Sequence, residues 1–316
     1  AAPYSVVAAG TALPPQRIAM PFSLIVGSSS SGKNEIVPGW VLQHSPYTLV
    51  RNDKKYATRR KAKRHADYTG WKIVRKATVE RCMAARSALQ AAAPSEGTDN
   101  PRQSVPGIGD CQLTERARVG GIKAYDNCIH IYALQGLLDW LSKTTLSDDQ
   151  SEVASRIRAE FAATDTERND QSLEVVEWPS FPWDEEDEPT NEWEFQRKLL
   201  SEEFPMVSSG DNEPALWIEK LLHSPRHTNG NNNDNNDTEE LHSWIGSVLH
   251  NLIVLEKAFA ERVAKSKKRD DTRGASIVPG YADFHVAAED DPVVVEVRQH
   301  AKATEQLVQK VMALIS

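Results

Sequence analysis

Residues 237–263, DTEELHSWIGSVLHNLIVLEKAFAERV, contain the most regular helical pattern in the chain. Asp237 followed by Glu240 has the spacing of a capping box, which marks the start of a helix. Large apolar residues then recur every three or four positions, as on one face of an α-helix. The stretch predicts an amphipathic helix of about six or seven turns, and the cations at 265–269 suit its C-terminal end. The apolar stripe consists of Leu241, Trp244, Ile245, Val248, Leu249, Leu252, Leu255, Phe259 and Val263.

The flanking sequence predicts further helices and a mainly α fold. Upstream, apolar residues with helical spacing run from Thr114 to about Lys143. Downstream, Val293–Val297 has the β-branched composition of a short strand, but the spacing that follows to Ile315 predicts a last helix. We expect this last helix and the one at 237–263 to form a closing antiparallel pair.

Segments rich in Pro, Gly, Ser and Asn interrupt the helices and set the expected organisation. Prolines break residues 1–50 into an extended arm with one strand at Ser23–Val26, and NGNNNDNND at 229–237 should be disordered. The expected fold is mainly α, with an extended N-terminal arm, a basic helical segment and an irregular helical body with long loops. The expected segments are the arm (1–50), the basic segment (51–93), a linker (94–112), a helical region (113–170), an acidic aromatic strap with the Asn-rich loop (171–237) and a C-terminal helix pair (238–316).

Composition excludes several classes of protein. Of 316 residues, 40% are apolar and 26% charged, which is typical of globular chains and not of collagen-like or fully disordered ones. Cys82, Cys111 and Cys128 are too few and too scattered for a disulfide framework, so we expect small core residues in a reducing compartment. No apolar run approaches the roughly 20 residues of a membrane-spanning helix, and we expect no transmembrane segment.

The net charge of -8 hides two oppositely charged segments. Residues 51–90 contain thirteen Lys or Arg and three acids, whereas residues 147–213 contain five basic and twenty acidic side chains. From Arg51 to Ala66 the only large apolar side chain is Tyr56, so a helix here has no apolar face for a protein core. Surrounding phosphates stabilise such a segment through counterion release. We expect it to bind RNA, rRNA in particular, without reading DNA sequence; an anionic membrane surface and simple solvation are the alternatives.

The expected RNA-binding residues combine cations for phosphates with aromatic rings that stack on unpaired bases. They are Lys54, Lys55, Arg59, Arg60, Lys61, Lys63, Arg64, Tyr68, Trp71, Lys72, Arg75 and Lys76. A second aromatic group lies at 174–195 in the acidic strap, where Pro179, Pro182 and Pro189 prevent a continuous helix. These rings either anchor a neighbouring protein or fold back on the chain's own core. The candidate anchors are Trp178, Phe181, Trp183 and Trp193.

One motif raises an enzymatic alternative. Gly27–Asn34, GSSSSGKN, follows an apolar stretch and matches the phosphate-loop pattern G-x-x-x-x-G-K-[ST] at all but its last position, which would make Lys33 a phosphate ligand. Asn34 lacks the hydroxyl that binds Mg²⁺, and Pro38 follows too soon for the helix that such a loop must open. We therefore expect a flexible loop here, with no catalytic residue, no cofactor and no metal site in the chain.

The composition of the first 52 residues indicates a cellular compartment. Residues 1–52 contain one acid, Glu35, among many Ser, Ala and Pro residues, a composition typical of an organellar leader or its remnant, and we expect the mitochondrial matrix. The sequence as a whole predicts a non-enzymatic structural component of a large ribonucleoprotein, the mitochondrial ribosome above all, with neighbouring proteins bound by its helical body. The alternatives are a nucleotide-binding enzyme that uses Gly27–Asn34, and a scaffold subunit of a protein-only or membrane-attached complex.

Overall fold

A computed structural model of the chain describes residues 1–27, 32–59, 73–92, 105–147, 160, 192–205 and 233–315. Within these residues the protein is mainly helical, as the sequence predicts, with eight helices and one small sheet. The described parts of 1–129 and 257–300 form one compact unit, here called unit 1. Those of 130–160, 192–256 and 301–315 form a second, called unit 2.

The secondary-structure elements follow one another with short strands first. The strands are β1 (Val6–Val7), β2 (Leu24–Val26) and β3 (Glu35–Val37). The next helices are α1 (Trp40–His44), α2 (Pro46–Arg59), α3 (Lys76–Ala91) and α4 (Glu115–Ser147). The later helices are α5 (Glu192–Glu203), α6 (Asn233–Ile277), α7 (Tyr281–Phe284) and α8 (Pro292–Ile315).

The sheet makes the N-terminal residues part of the core of unit 1. β1 pairs with β2 in parallel, and β2 pairs with β3 antiparallel, with Ile25 opposite Ile36. Both of these side chains are fully buried, as are Met20 and Phe22 in the chain that leads to β2. The segment 1–50 thus contains the expected strand, but many of its apolar residues, Met20 and Phe22 among them, are packed inside the unit.

Helices α3 and α4 approach closely because α4 has a glycine at the contact. A Cβ on Gly121 would lie 2.8 Å from the Cβ of Pro38 and 2.9 Å from Cδ1 of Leu89, both closer than van der Waals contact permits. The two helices are also joined by Arg86 and Asp126, whose Nη1 and Oδ1 atoms are 3.1 Å apart. The helix-weakening glycine is therefore required by packing.

The second half of the expected linker also belongs to this core. Val105 and Ile108 are buried, and Gln112 forms a bridge to Glu35 at the edge of the sheet. The cysteines are small core residues, as expected, since all three are free thiols in buried positions. They are Cys82, Cys111 and Cys128.

The predicted closing pair of helices is present as α6 and α8. In unit 1, Arg298 of α8 donates to Glu261 of α6 at 3.4 Å, and the chain turns back between Gly274 and Tyr281, so the two helices are antiparallel there. In unit 2, a Cβ on Gly246 of α6 would lie 3.2 Å from Cε of Met312. The apolar periodicity of both segments therefore predicted their packing correctly.

Several boundaries differ from the sequence expectations. Helix α6 begins at Asn233, so the end of the Asn-rich run, expected to be disordered, is helical, while 229–232 lie outside the described residues. The same helix continues to Ile277, so the cations at 265–269 lie well before its end. A helix that is already nucleated extends at little cost per residue, which explains both shifts.

The expected strand at Val293–Val297 is wrong, because these residues form the first turns of α8. Asp291 caps this helix: its Oδ1 accepts the backbone N–H groups of Val293 at 2.9 Å and Val294 at 3.3 Å. Pro292 follows in the position where a proline suits a helix start. Together the cap and the proline outweigh the β preference of the valines.

Candidate nucleic-acid interface

Four of the expected RNA-binding residues have described side chains. Lys54 and Lys55 are exposed on α2, and Arg75 and Lys76 are half-buried at the start of α3. Helix α2 ends at Arg59. The other eight expected side chains lie outside the part of the chain that the structure describes. They are those of Arg59, Arg60, Lys61, Lys63, Arg64, Tyr68, Trp71 and Lys72.

Helix α2 is held by a buried first turn that the sequence analysis assigned to the arm. The helix begins at Pro46, so the expected boundary after residue 50 falls inside it, and Tyr47 and Leu49 are buried. The Tyr47 hydroxyl donates a hydrogen bond of 2.9 Å to Oδ2 of Asp291, the residue that caps α8. One end of α2 is therefore anchored, and the cations of its later turns project to the surface.

Positive charge surrounds the Tyr47 ring. The ammonium nitrogen of Lys267, which is buried, lies 5.8 Å from the ring centroid and donates to Asp271. The guanidinium carbon of Arg51 lies 5.9 Å from the same centroid. Burial, and after it the hydrogen bond to Asp291, raise the pKa of Tyr47, so its hydroxyl stays a neutral donor even above pH 10.

Two arginines that the sequence analysis did not select lie beside the junction of α1 and α2. Arg269 donates to the backbone carbonyl of His44, 225 residues away in the chain. Burial lowers the pKa of His44, and the charges of Arg269 and Arg116 lower it further. Arg51, Arg116 and Arg269 are all exposed, and we call these three residues the junction arginines.

The junction arginines come from α2, α4 and α6; Arg116 and Arg269 both act on His44, and Arg51 lies over the Tyr47 ring. The sequence signal for Arg269 was its place in the basic run at 265–269, which was attributed to the helix end. An exposed group of guanidinium ions from separate helices can bind phosphate oxygens bidentately.

Acidic and polar groups of the same chain contact several of the expected cations. Lys54 forms an ion pair with Glu296 of α8, and Lys76 lies 3.9 Å from Glu80 one turn along α3. Nη1 of Arg75 donates to the Tyr4 hydroxyl at 3.4 Å. A phosphate at these positions therefore competes with an existing partner, although an exposed ion pair contributes only about 0–1 kcal/mol.

Helix α3 has the expected buried apolar face, but not all of its cations are available to RNA. Its apolar face, including Val79 and Leu89, is buried in unit 1, as expected for a helix that rests on protein. Arg81 is also buried, and Arg86 pairs with Asp126 of α4. Arg81 is therefore not on the surface, and Arg86 already has a carboxylate partner in the same unit.

Among the candidate anchors of the acidic strap, Trp193 is described. It lies on α5, and its ring stacks on Trp140 of α4 with centroids 5.3 Å apart. Its indole N–H donates to Oε1 of Glu160 at 2.8 Å. Trp193 therefore packs on the chain's own helices, which is the second of the two alternatives given above for these rings. The other three candidate anchors, Trp178, Phe181 and Trp183, lie outside the described residues.

The expected strap is interrupted by a helix that begins soon after Pro189. Helix α5 begins at Glu192, with Glu192 and Glu194 in its first turn, where the helix dipole favours acids. Gln196 donates to the backbone carbonyl of Tyr132 at 3.1 Å, which fixes α5 on α4.

The geometry around the phosphate-loop motif does not favour nucleotide binding. After Gly27 and the undescribed residues 28–31, the chain continues into β3, an antiparallel partner of β2, where a phosphate loop must open a helix. Lys33 forms an ion pair with Asp110 at 2.8 Å. The Asn34 side chain donates to the backbone carbonyl of Ala12 at 2.8 Å.

The described ranges contain neither a metal-binding cluster nor a membrane-spanning helix. No group of three or more His, Cys, Asp or Glu side chains there is arranged to hold a metal ion. None of the helices in the described part of the chain combines the length and the apolar character needed to cross a membrane. Comparisons with family models, with curated proteins and with solved structures found no match to this chain.

Proposed function

We propose that this chain is a non-enzymatic, RNA-binding structural component of a large ribonucleoprotein. The observation that supports this most is the exposed row of Arg51, Lys54 and Lys55 on α2, which continues in the sequence into five more cations at 59–64. Asp53 is the single acid from 51 to 64, and burial raises its pKa. Such a density of positive charge matches a phosphate backbone.

The anchoring of α2 supports the same proposal. Tyr47 and Leu49 are buried, so the helix is attached to unit 1 at one end while its cations face outward at the other. A preordered cationic helix loses less conformational entropy on binding than a disordered tail does. Arg116 and Arg269 add a second set of exposed cations near the start of the helix.

We further propose the mitochondrial ribosome as the assembly. Two sequence features support this choice: the acid-poor composition of residues 1–52, and the acidic segment 147–213, which would repel RNA and attract basic proteins. The aromatic residues Tyr68 and Trp71 would stack on unpaired rRNA bases. Co-sedimentation of the chain with ribosomal particles, abolished by ribonuclease, is the expected result in a mitochondrial extract.

Salt-dependent RNA binding by the whole chain tests the RNA contact. With six to ten phosphate contacts, affinity for a labelled RNA hairpin should fall by roughly 10³ to 10⁵ between 50 and 200 mM salt. A flat salt response, or preferential binding to vesicles of anionic lipid, would contradict the proposal.

A scaffold subunit without RNA is the second candidate. The observation in its favour is that Lys54, Lys76 and Arg86 have carboxylates of the same chain as partners. For this candidate, co-sedimentation with a large assembly would survive ribonuclease treatment.

A further inference from the structure

Half of the exposed large apolar side chains of the described residues lie within one ten-residue turn. Ile277, Val278, Phe284 and Val286 are exposed by 69%, 47%, 83% and 53%. The turn joins the end of α6 to α8 and includes the short helix α7. Isolated apolar residues are normal on a protein surface, whereas a group of four is typical of an interaction site. We call residues 277–286 the apolar turn.

The apolar turn is ordered by contacts behind it. Tyr281 lies against Gly274, where any Cβ would collide with its ring, and its hydroxyl donates to Asp271 at 3.2 Å. The Tyr281 and His285 rings are stacked with centroids 3.9 Å apart. Lys267 donates to the backbone carbonyl of Val286 at 2.7 Å. The exposed side chains are thus presented by a fixed backbone, which lowers the entropic cost of binding.

The charges of the surrounding segment are of one sign. Residues 274–297 contain five acids and no lysine or arginine. Asp283, Glu289 and Asp290 are exposed, whereas Asp291 is buried at the α8 cap and Glu296 pairs with Lys54. The apolar turn therefore has exposed carboxylates within it and after it, whereas the exposed Arg273 lies one helical turn before Ile277 on the other side.

This charge distribution favours some binding partners of the apolar turn over others. Carboxylates beside an apolar surface repel the phosphates of RNA and of anionic lipids. They complement a surface with an apolar cavity bordered by lysine or arginine. A second copy of this chain would bring a second set of the same carboxylates against them.

We propose that the apolar turn is a docking site for a basic protein partner, which receives Phe284 and Ile277 in an apolar cavity and pairs its cations with Asp283, Glu289 and Asp290. Phe284 is the expected centre of this contact, since aromatic side chains at the centre of interfaces account for most of the binding energy. The proposed contact residues differ from the proposed RNA-binding cations of α2, although the charge of Arg51 on α2 acts on Tyr281 of the turn.

Two synthetic amphipathic helical peptides of equal length, one of Leu and Lys and the other of Leu and Glu, serve as defined probes. Fluorescence anisotropy of each labelled peptide is followed as the whole chain is added. We expect the Leu/Lys peptide to bind and the Leu/Glu peptide not to bind. Phe284→Ser and Ile277→Ser should each weaken binding of the Leu/Lys peptide roughly tenfold or more.

Val254→Ser is the matched control, because Val254 is a single exposed valine, at 50%, on the α6 surface away from the turn. It should leave binding unchanged, so that attraction to other acidic segments is separated from docking. Neutralising Asp283, Glu289 and Asp290 together should lower affinity and remove most of its salt dependence. Phe284 is exposed by 83%, so its replacement does not disturb the core.

Three results would overturn the proposal. The first is equal binding of the two peptides, and the second is a Phe284→Ser variant that binds the Leu/Lys peptide as tightly as the unmodified chain does. The third is a dimer in sedimentation that Phe284→Ser converts to a monomer, since the occupant would then be a second copy of the chain.

Discussion

Replacement of Asp291 by alanine tests how the basic helix α2 is attached. The Asp291 carboxylate accepts two backbone N–H groups of α8 through Oδ1 and the Tyr47 hydroxyl through Oδ2. Loss of an N-cap costs about 1 kcal/mol. A buried hydroxyl left without its acceptor costs about 1 to 3 kcal/mol more. We therefore expect Asp291→Ala to lower the free energy of unfolding by about 2 to 4 kcal/mol.

The assay is urea unfolding of the whole chain, with Asp290→Ala as the control. Asp290 is the exposed neighbour of Asp291, and its replacement should change stability by less than about 0.5 kcal/mol. Tyr47→Phe completes a double-mutant cycle. Because both partners belong to one hydrogen bond, the double variant should cost less than the sum of the single ones, by at least about 0.5 kcal/mol.

The reasoning would be refuted if Asp291→Ala were as mild as Asp290→Ala. Strict additivity of Asp291→Ala and Tyr47→Phe would equally refute it, since the hydroxyl and the carboxylate would then not interact.

Three more measurements follow from the packing and the pKa shifts. Gly120→Ala should raise the free energy of unfolding by up to about 1 kcal/mol, because a Cβ at Gly120 fits without a clash. Gly121→Ala should be less stable than Gly120→Ala by about 1 to 3 kcal/mol, because a Cβ at Gly121 would clash with Pro38. Since the raised pKa of Tyr47 keeps the folded state protonated above pH 10, unfolding titrations should show stability falling there, and Tyr47→Phe should remove up to about 1.4 kcal/mol per pH unit of that slope. Trp193→Ala should lower the urea midpoint of unit 2 through loss of roughly 2 kcal/mol, and an unchanged midpoint would contradict the stacking on α4.

The helical framework was predictable because its signal is local. The stripe from Leu241 to Val263 repeats with the helical period, and α6 and α8 pair as that pattern implies. Caps are also local, yet the valines that follow Asp291 were given the composition of a short strand. Reading Asp291 and Pro292 as a helix start would have corrected the error.

The candidate interface was predictable only in part, because its contacts are distant in the sequence. Tyr47 meets Asp291 across 244 residues, and Arg269 meets His44 across 225. No periodicity relates such pairs, so the sequence located the cations of α2 but neither its anchor nor the junction arginines. Helix α5, which contains Trp193, was missed for a different reason, since residues 174–195 were treated as one strap whose prolines prevent a continuous helix.

Salt titrations of RNA affinity for two charge-matched variants test the central claim most directly. In one variant, Arg60, Lys61 and Arg64 of the basic segment are replaced by Gln. In the other, Lys265, Lys302 and Lys310, which are exposed on α6 and α8, are replaced by Gln. The first should reduce the slope of log affinity against log salt by roughly 2 to 3, and the second should leave it unchanged. Equal effects of the two variants, or no salt dependence in the unmodified chain, would contradict RNA binding by the basic segment.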